Sequence, residues 1–148
     1  MIDTIDFYKV KDPYGFMSNF WKCNFVLNNQ LWASTEHYYQ AFKTLDLIER
    51  ENVRTQNKPN DARIVGQTIT LRPDFDQVKD AIMLKCLIAK FTQNQDLLNM
   101  LLDTGNKYLV ENSPVDFYWG CGKDRTGKNM LGNQLMEVRQ FCRKFECI

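Results

Sequence analysis

Apolar residues along most of the chain recur every three or four positions, which is the period of an amphipathic α-helix. The longest such stretch, residues 74–92, has an apolar stripe broad enough to predict a helix buried on more than one side. Shorter stretches predict helices at residues 61–65, at residues 96–103 and from Leu131 through Phe145. Helices therefore dominate the predicted fold.

Strands are expected only near the start of the chain and between the last helices. Residues 5–8 indicate a first strand. A second is indicated where Cys23, Phe25 and Leu27 alternate with Asn24, Val26 and Asn28. Asn28 and Asn29 then predict a hairpin turn, and residues 107–111 predict a further strand. No repeat or linker interrupts the chain. The sequence therefore predicts an α+β fold, mostly helical with a few short strands, in a single compact domain over residues 1–148.

The composition favours a soluble globular protein. Of 148 residues, 44% are hydrophobic and 13% aromatic, which is enough to build a core and argues against disorder. Lys and Arg number 19 against 18 Asp and Glu, and this balance argues against a protein that binds nucleic acid by charge alone. No apolar run approaches the roughly 20 residues of a membrane span, and the first residues do not resemble a signal peptide. We expect a cytoplasmic protein without a membrane partner.

The five cysteines are widely spaced, and the single histidine, His37, has no cysteine near it in the sequence. A structural zinc site takes four ligands, usually in closely spaced pairs. The sequence therefore predicts no metal site. Unpaired thiols suit a reducing compartment, and Cys86 and Cys142 fall within helical patterns as small core residues.

The densest group of chemically useful residues begins at Ser34 or Thr35, either of which can cap a helix predicted over residues 36–50. His37 lies in its first turn beside Glu36. A histidine in this position can activate a nucleophile, but the alternative is a structural hydrogen-bonding role.

Glu36, Gln40 and Lys43 are spaced at i, i+4 and i+7, so on a helix they form one polar stripe flanked by Tyr39. One interpretation is a solvated helix face. The other is that the surrounding aromatic residues partly desolvate Glu36 and raise its pKa, as a proton-transferring carboxylate requires.

Residues 109–122 combine hydrogen-bonding, aromatic and glycine residues. Gly120 and Gly122 allow a close backbone approach to a ligand, and Trp119 can stack on a planar ring. A basic loop follows and leads to Asn129, which can cap the terminal helix; such a loop can bind phosphate. The alternative is an ordinary turn with exposed lysines.

The loop at residues 14–20 also combines aromatic, glycine and polar residues. Phe16, Ser18 and Asn19 either form the floor of a pocket or hold the loop against the core.

Together these segments resemble the YbiA/NADAR family of small N-glycosidases, and the resemblance covers nearly the whole chain. The matching blocks are GF-M-SNF (15–20), W-x-S-T-EHYYQA-x-K (32–43), residues 78–83 and 89–91, LL-D-TG-N-x-x-LVE-x-SP-x-D-x-x-WG-x-G (101–122) and G-x-N-x-LG-x-x-LM-x-VR (127–139).

The resemblance implies a mostly helical α+β fold and cleavage of an N-glycosidic bond. The bond lies either in early riboflavin-pathway intermediates, which are ribosylamino-pyrimidine phosphates, or between ADP-ribose and guanine. Glu36 and Asp116 become the acidic residues, with Lys43 as their polar partner. Many members have a tryptophan where this chain has Phe75, which lacks an N–H donor. The expected substrate-binding residues are Phe16, Ser18, Asn19, Tyr39, Gln40, Phe75, Trp119, Gly120, Gly122 and Asn129.

Cleavage of a ribosyl C–N bond builds positive charge on the ribose and negative charge on the leaving base. Glu36 and Asp116 can divide the tasks of stabilising the cation and transferring the proton. Lys43 can keep Glu36 ionised, anchor a phosphate, or form an imine with ring-opened ribose. No metal or redox cofactor is needed.

The expected partner is a phosphorylated ribosyl or ADP-ribosyl small molecule, with ADP-ribosylated nucleic acid as a further substrate class. The alternative function is a non-catalytic ADP-ribose or nucleotide-binding module, which would not need two carboxylates. The balanced charge disfavours a simple nucleic-acid-binding domain.

Overall fold

The computed structural model describes the backbone of residues 3–146 and the side chains of residues 3–144; the side chain of Phe145 and the fifth cysteine, Cys147, lie outside the described part. The chain divides into two compact units, one formed by Met1–Ser18 with Gln95–Ile148 and the other by Asn19–Asn94. The single domain expected from the sequence stays a prediction. The elements in chain order are β1 Thr4–Phe7, β2 Phe25–Leu27, β3 Gln30–Trp32, α1 Thr35–Ala41, α2 Leu47–Arg54, α3 Pro59–Gly66, α4 Phe75–Thr92, α5 Gln95–Leu102, β4 Tyr108–Glu111 and α6 Met130–Glu146.

The first unit is built on a parallel strand pair. β1 pairs with β4 in a register that sets Ile5 opposite Leu109, and both side chains are buried. α6 packs against β4, and α5 packs against α6. Both strands and both helices lie where the apolar pattern predicts them.

The second unit is a helical layer with a β-hairpin. β2 and β3 pair antiparallel, and Asn28 and Asn29 connect them with φ angles of 54° and 61°. Positive φ at both central residues is the requirement of a type I′ turn, which asparagine tolerates. The hairpin prediction is therefore confirmed. α1 packs against α2, α3 and α4.

The helix predicted over residues 36–50 is wrong as a single element. α1 ends at Ala41 and α2 begins at Leu47. Between them, Thr44 Oγ1 accepts the N–H of Asp46 and donates to Glu49 Oε2 at 2.7 Å. Asp46 Oδ1 then accepts the N–H groups of Ile48 and Glu49 as the N-cap of α2. Side-chain bonds of this kind compete with the helical backbone pattern and start a new helix.

α4 is buried most fully in its C-terminal half, as the broad stripe predicts. Lys90 lies in this half and is completely buried, and burial lowers its pKa to about 8. Within residues 3–146, no helix has the length and hydropathy to cross a membrane.

Candidate active site

The candidate residues of the second unit gather around α1. Ser34 is the N-cap of this helix, and its Oγ accepts the N–H of His37 at 3.1 Å. Asn19 braces the first turn, because its carbonyl oxygen accepts the N–H of Glu36 at 3.2 Å and its Oδ1 accepts the Thr35 hydroxyl at 2.7 Å. Every residue of α1 is buried, and Glu36 is only 6% exposed. The interpretation of this stripe as a solvated face is therefore wrong.

His37 has a structural role. Its Nε2 donates to the carbonyl oxygen of Gln56 at 2.9 Å, because a carbonyl can only accept. Its Nδ1 then accepts the hydroxyl of Ser34 at 2.7 Å. Burial lowers the pKa of His37 below its ordinary 6.5. The ring is thus neutral with both nitrogens occupied, which supports the structural alternative over activation of a nucleophile.

Gln40 directs a donor at the buried carboxylate. Its Nε2 lies 3.5 Å from Glu36 Oε2. Its Oε1 lies over the backbone of Gly66, where a Cβ would collide with it, and accepts no hydrogen bond from the described residues. An unsatisfied buried acceptor destabilises a fold by about 1–3 kcal/mol. The amide therefore points its donor towards Glu36 despite this penalty.

Lys43 does not share the helical face of Glu36 in the way its spacing suggests, because it follows the C-cap residue, Phe42. Its Nζ lies 5.5 Å from the centroid of the Tyr39 ring and 5.9 Å from that of Phe75. The two ring centroids are 5.7 Å apart. We call Tyr39, Lys43 and Phe75 the lysine cluster.

Two opposing effects act on the ammonium group of Lys43. Burial lowers its pKa from the ordinary 10.5, and the charge of Glu36 acts in the opposite direction. The buried carboxylate therefore interacts electrostatically with the lysine cluster. The structure thus brings together five residues predicted from the sequence: Glu36, Tyr39, Gln40, Lys43 and Phe75.

The candidate residues of the first unit include the loop that follows β4. Asp116 is half-buried, and its Oδ1 accepts the N–H groups of Tyr118 and Trp119 at 2.9 and 2.7 Å. Ser113 Oγ accepts the N–H of Asp116 at 3.1 Å. Trp119 packs edge-on against Tyr118 and is 9% exposed. One oxygen of Asp116 therefore shapes the loop, and little of the Trp119 ring is accessible to a ligand.

Other residues of the chain, rather than open space for a ligand, lie close to the two glycines of this loop, Gly120 and Gly122. A Cβ on Gly120 would lie 2.9 Å from the Cβ of Ser113. Gly122 has a φ of 74°, and a Cβ there would collide with the ring of Phe117. The close approach expected of a ligand is thus made here by Ser113 and Phe117. Contact with a substrate stays a prediction.

The remaining candidate residues of the first unit are buried and contribute to its structure. Phe16 is buried in a 3₁₀ turn and Ser18 follows it, also buried. Asn129 Oδ1 accepts the N–H of Glu111, and its Nδ2 donates to the carbonyl oxygen of Leu109, both at 2.9 Å. The side chain predicted to cap α6 therefore ties the start of that helix to β4.

The basic loop is only partly available for phosphate. Arg125 forms an ion pair with Asp6, and Lys128 Nζ lies 5.5 Å from the Tyr118 ring centroid. Across the described residues, no group of three or more His, Cys, Asp or Glu side chains could hold a metal ion.

Sequence reasoning did not single out Arg72 and Asp74, which connect the chain after α1 to the start of α4. Arg72 Nε and Nη2 donate to the two carboxylate oxygens of Asp74 at 2.6 and 3.1 Å. Both residues lie within three positions of Phe75 in the sequence, but only the structure shows what they contact.

The comparisons with known proteins agree with this organisation. The model of the NADAR domain family matches residues 6–143. The N-glycosidase Npun_R5314 of Nostoc punctiforme is 42% identical over 145 residues, which cover 95% of this chain and 93% of that protein. N-glycosidase YbiA of Escherichia coli is 41% identical over 143 residues, which cover 95% of this chain and 89% of that protein.

The fold also matches a solved structure. The NMR structure of the E. coli protein YbiA has a TM-score of 0.90 and 38% identity, and the match covers 98% of this chain and 88% of that chain. A riboflavin biosynthesis protein of Vibrio vulnificus, VVA0006, is 35% identical over 148 residues; these cover 95% of this chain but 39% of that longer protein.

The protein is an enzyme, a hydrolase that acts on N-glycosyl compounds. It belongs to the NADAR domain family, as its sequence motifs indicate. The predicted fold class, α+β and mostly helical with a few short strands, is confirmed.

Proposed function

We propose that this enzyme hydrolyses the ribosyl C–N bond of a phosphorylated N-riboside, and that ribosylamino-pyrimidine phosphates of the riboflavin pathway are the first substrates to test. The observation that carries this proposal is the buried carboxylate of Glu36 beside the lysine cluster. The similarity to part of a riboflavin biosynthesis protein supports the choice of substrate.

The carboxylate suits the charge that develops in this reaction. When the C–N bond breaks, its electron pair leaves with the base and C1′ of the ribose becomes cationic. A buried anion stabilises that cation more strongly than an exposed one, because water screens it less. Water then supplies a hydroxyl to C1′ and a proton to the base. We assign Glu36 to stabilising the cation or to orienting this water.

The ammonium of Lys43 suits the phosphate or the ribose of the same substrate. It lies over two rings and its pKa is lowered by burial. A lowered pKa makes the neutral amine more accessible, as imine formation with ring-opened ribose requires. The charged form would instead anchor phosphate. Both roles need Lys43 within reach of the substrate that Glu36 contacts.

Asp116 stays our proposed second acidic residue, with Trp119 and the neighbouring glycines as binding residues. Because Oδ1 of Asp116 already accepts two backbone N–H groups, its proposed role belongs to Oδ2. We also propose a cytoplasmic location, supported by the free thiols of Cys23, Cys86 and Cys121.

The test is incubation of the purified protein with a ribosylamino-pyrimidine phosphate and, separately, with ADP-ribosylated guanosine. Mass spectrometry then measures the free base and the sugar product. Glu36→Gln is expected to be inactive, and Glu137→Gln, which changes an exposed glutamate on α6, is its matched control.

Release of base from the pyrimidine substrate by wild type and by Glu137→Gln, but not by Glu36→Gln, supports the proposal. If ADP-ribosylated guanosine is hydrolysed and the pyrimidine compound is not, the substrate belongs to the other class that the family motifs imply. Saturable binding of both compounds without any product would contradict hydrolysis and favour the non-catalytic binding module.

A further inference from the structure

Arg72 fastens the chain that leaves α1. Its backbone N–H donates to the carbonyl oxygen of Lys43 at 2.7 Å, and its guanidinium Nη1 donates to the carbonyl oxygen of Phe42 at 3.4 Å. The last carbonyl groups of a helix have no partner within the helix. One residue therefore satisfies two carbonyl groups at the point where α1 ends.

Asp74 fixes the plane of the Arg72 guanidinium. Its Oδ1 accepts from Nε at 2.6 Å and its Oδ2 accepts from Nη2 at 3.1 Å. Paired hydrogen bonds between a guanidinium and a carboxylate are both strong and directional. The guanidinium is therefore held in one orientation against the end of α1.

The side chain of Asp74 binds Arg72 instead of capping the helix that it precedes. It is the N-cap residue of α4, where an aspartate side chain usually accepts a backbone N–H of the first turn. Among the described residues its side chain accepts no such cap bond. A position that breaks a local rule in this way is typical of a functional constraint.

Arg72 and Asp74 are each connected to a member of the lysine cluster. Arg72 holds the backbone of Lys43, and Phe75 directly follows Asp74. The Phe75 ring centroid lies 5.9 Å from Lys43 Nζ. The same two residues thus fix the base of the lysine side chain and one of the rings that its ammonium contacts.

We propose that Arg72 is a positioning residue which, together with Asp74, holds the ammonium of Lys43 over Tyr39 and Phe75. The consequence for turnover rests on the function proposed above. The consequence for the environment of Lys43 does not, so the two are measured separately.

The principal variant is Arg72→Lys, which keeps the charge and the backbone N–H but cannot form the paired contact. Competitive labelling with acetic anhydride across a pH series, read by peptide mass spectrometry, gives the pKa of Lys43. Burial is the larger influence on that pKa, and the charge of Glu36 on α1 opposes it. Release of the side chain into water should therefore raise the pKa towards its ordinary value.

Turnover provides the second readout. If Lys43 acts on the substrate, displacement of its ammonium should lower kcat by roughly 10- to 100-fold with a smaller change in KM. Asp74→Asn weakens the same contact from its other side and should shift the pKa of Lys43 in the same direction by a smaller amount. Asp74→Asn is therefore the variant to measure if Arg72→Lys does not fold.

Arg54 on α2 offers a matched control in the same unit. Its Nε and Nη2 donate to the carboxylate of Glu51 at 2.9 and 2.5 Å, and its Nη1 donates to the carbonyl oxygen of Leu31 at 3.1 Å. Arg54→Lys therefore removes an equivalent contact whose partners do not belong to the lysine cluster. It should leave both the pKa of Lys43 and kcat unchanged.

A higher Lys43 pKa in Arg72→Lys and Asp74→Asn, but not in Arg54→Lys, supports the proposal. If turnover is then unchanged, the positioning role stands and the catalytic role proposed for Lys43 is wrong. An unchanged Lys43 pKa in a folded variant of the Arg72–Asp74 pair, or an equal rise in Arg54→Lys, overturns the proposal.

Discussion

Replacement of Glu36 with glutamine removes a buried charge from the site with almost no change of shape. The carboxylate is 6% exposed, and Gln40 Nε2 lies 3.5 Å from its Oε2. Because the side chains have nearly equal volumes, we expect the variant to fold. Loss of charge and of proton transfer should lower turnover at least ~100-fold, which corresponds to about 3 kcal/mol of transition-state stabilisation.

The same substitution should change the ionisation of Lys43. Burial lowers the pKa of Lys43, and the charge of Glu36 raises it. Removal of that charge should therefore lower the pKa of Lys43 further below its ordinary value.

Two assays on one preparation test these expectations. Steady-state product release gives kcat, and pH-dependent acylation of Lys43 gives its pKa. Glu137→Gln, the exposed control on α6, should leave both unchanged. Near-normal turnover of Glu36→Gln with a normal melting temperature would exclude Glu36 from the reaction. A Lys43 pKa that stays constant or rises would refute the electrostatic interaction.

Four further predictions can be checked with standard measurements. If Lys43 acts through its positive charge, Lys43→Arg should keep appreciable turnover and Lys43→Ala should lose it. Equal loss of turnover in the two variants, together with an adduct that borohydride traps on the wild-type enzyme, indicates an imine. Full activity in Lys43→Ala contradicts both roles. Trp119→Ala should lower the free energy of unfolding by about 3–5 kcal/mol in chemical denaturation, because the side chain is almost buried. Unchanged stability with weaker substrate binding would contradict this packing role and leave substrate binding as the contribution of Trp119. Burial lowers the pKa of His37, so the contribution of the neutral ring to stability should be complete above about pH 6.5 and should decline as the pH falls towards the lowered pKa. If the free energy of unfolding falls equally steeply with acid in His37→Gln, this expectation is wrong. EDTA should leave turnover unchanged, and activity restored by a divalent ion would contradict a metal-free reaction.

Local signals were enough to predict much of the fold. The Asn28-Asn29 pair predicts the hairpin because positive φ is required at both positions. The α4 stripe predicts a buried helix, and Gly105, with a φ of 64° just after α5, matches a helix end. These elements depend on residues that are close in sequence, so a sequence pattern can reveal them.

The break between α1 and α2 could not be predicted in the same way. Leu45 and Ile48 look like a continuation of a buried stripe, yet Ile48 is 83% exposed. The break depends on Glu49, which accepts hydrogen bonds from Thr44 and also from the backbone and hydroxyl of Thr70. A contact between residues 21 positions apart leaves no periodic signal in the sequence.

The early end of α1 is also what allows the lysine cluster to form. If α1 continued, the carbonyl oxygen of Lys43 would accept the N–H of Leu47 within the helix. Because the helix ends at Ala41, that carbonyl is available and accepts the backbone N–H of Arg72 instead. This bond holds the start of α4, with Phe75, beside Lys43. Proximity to Tyr39 follows from a spacing of four residues, whereas proximity to Phe75 requires the helix to end. The motif block at residues 32–43 therefore contains two of the catalytic candidates, Glu36 and Lys43, together with Ala41, at which α1 ends.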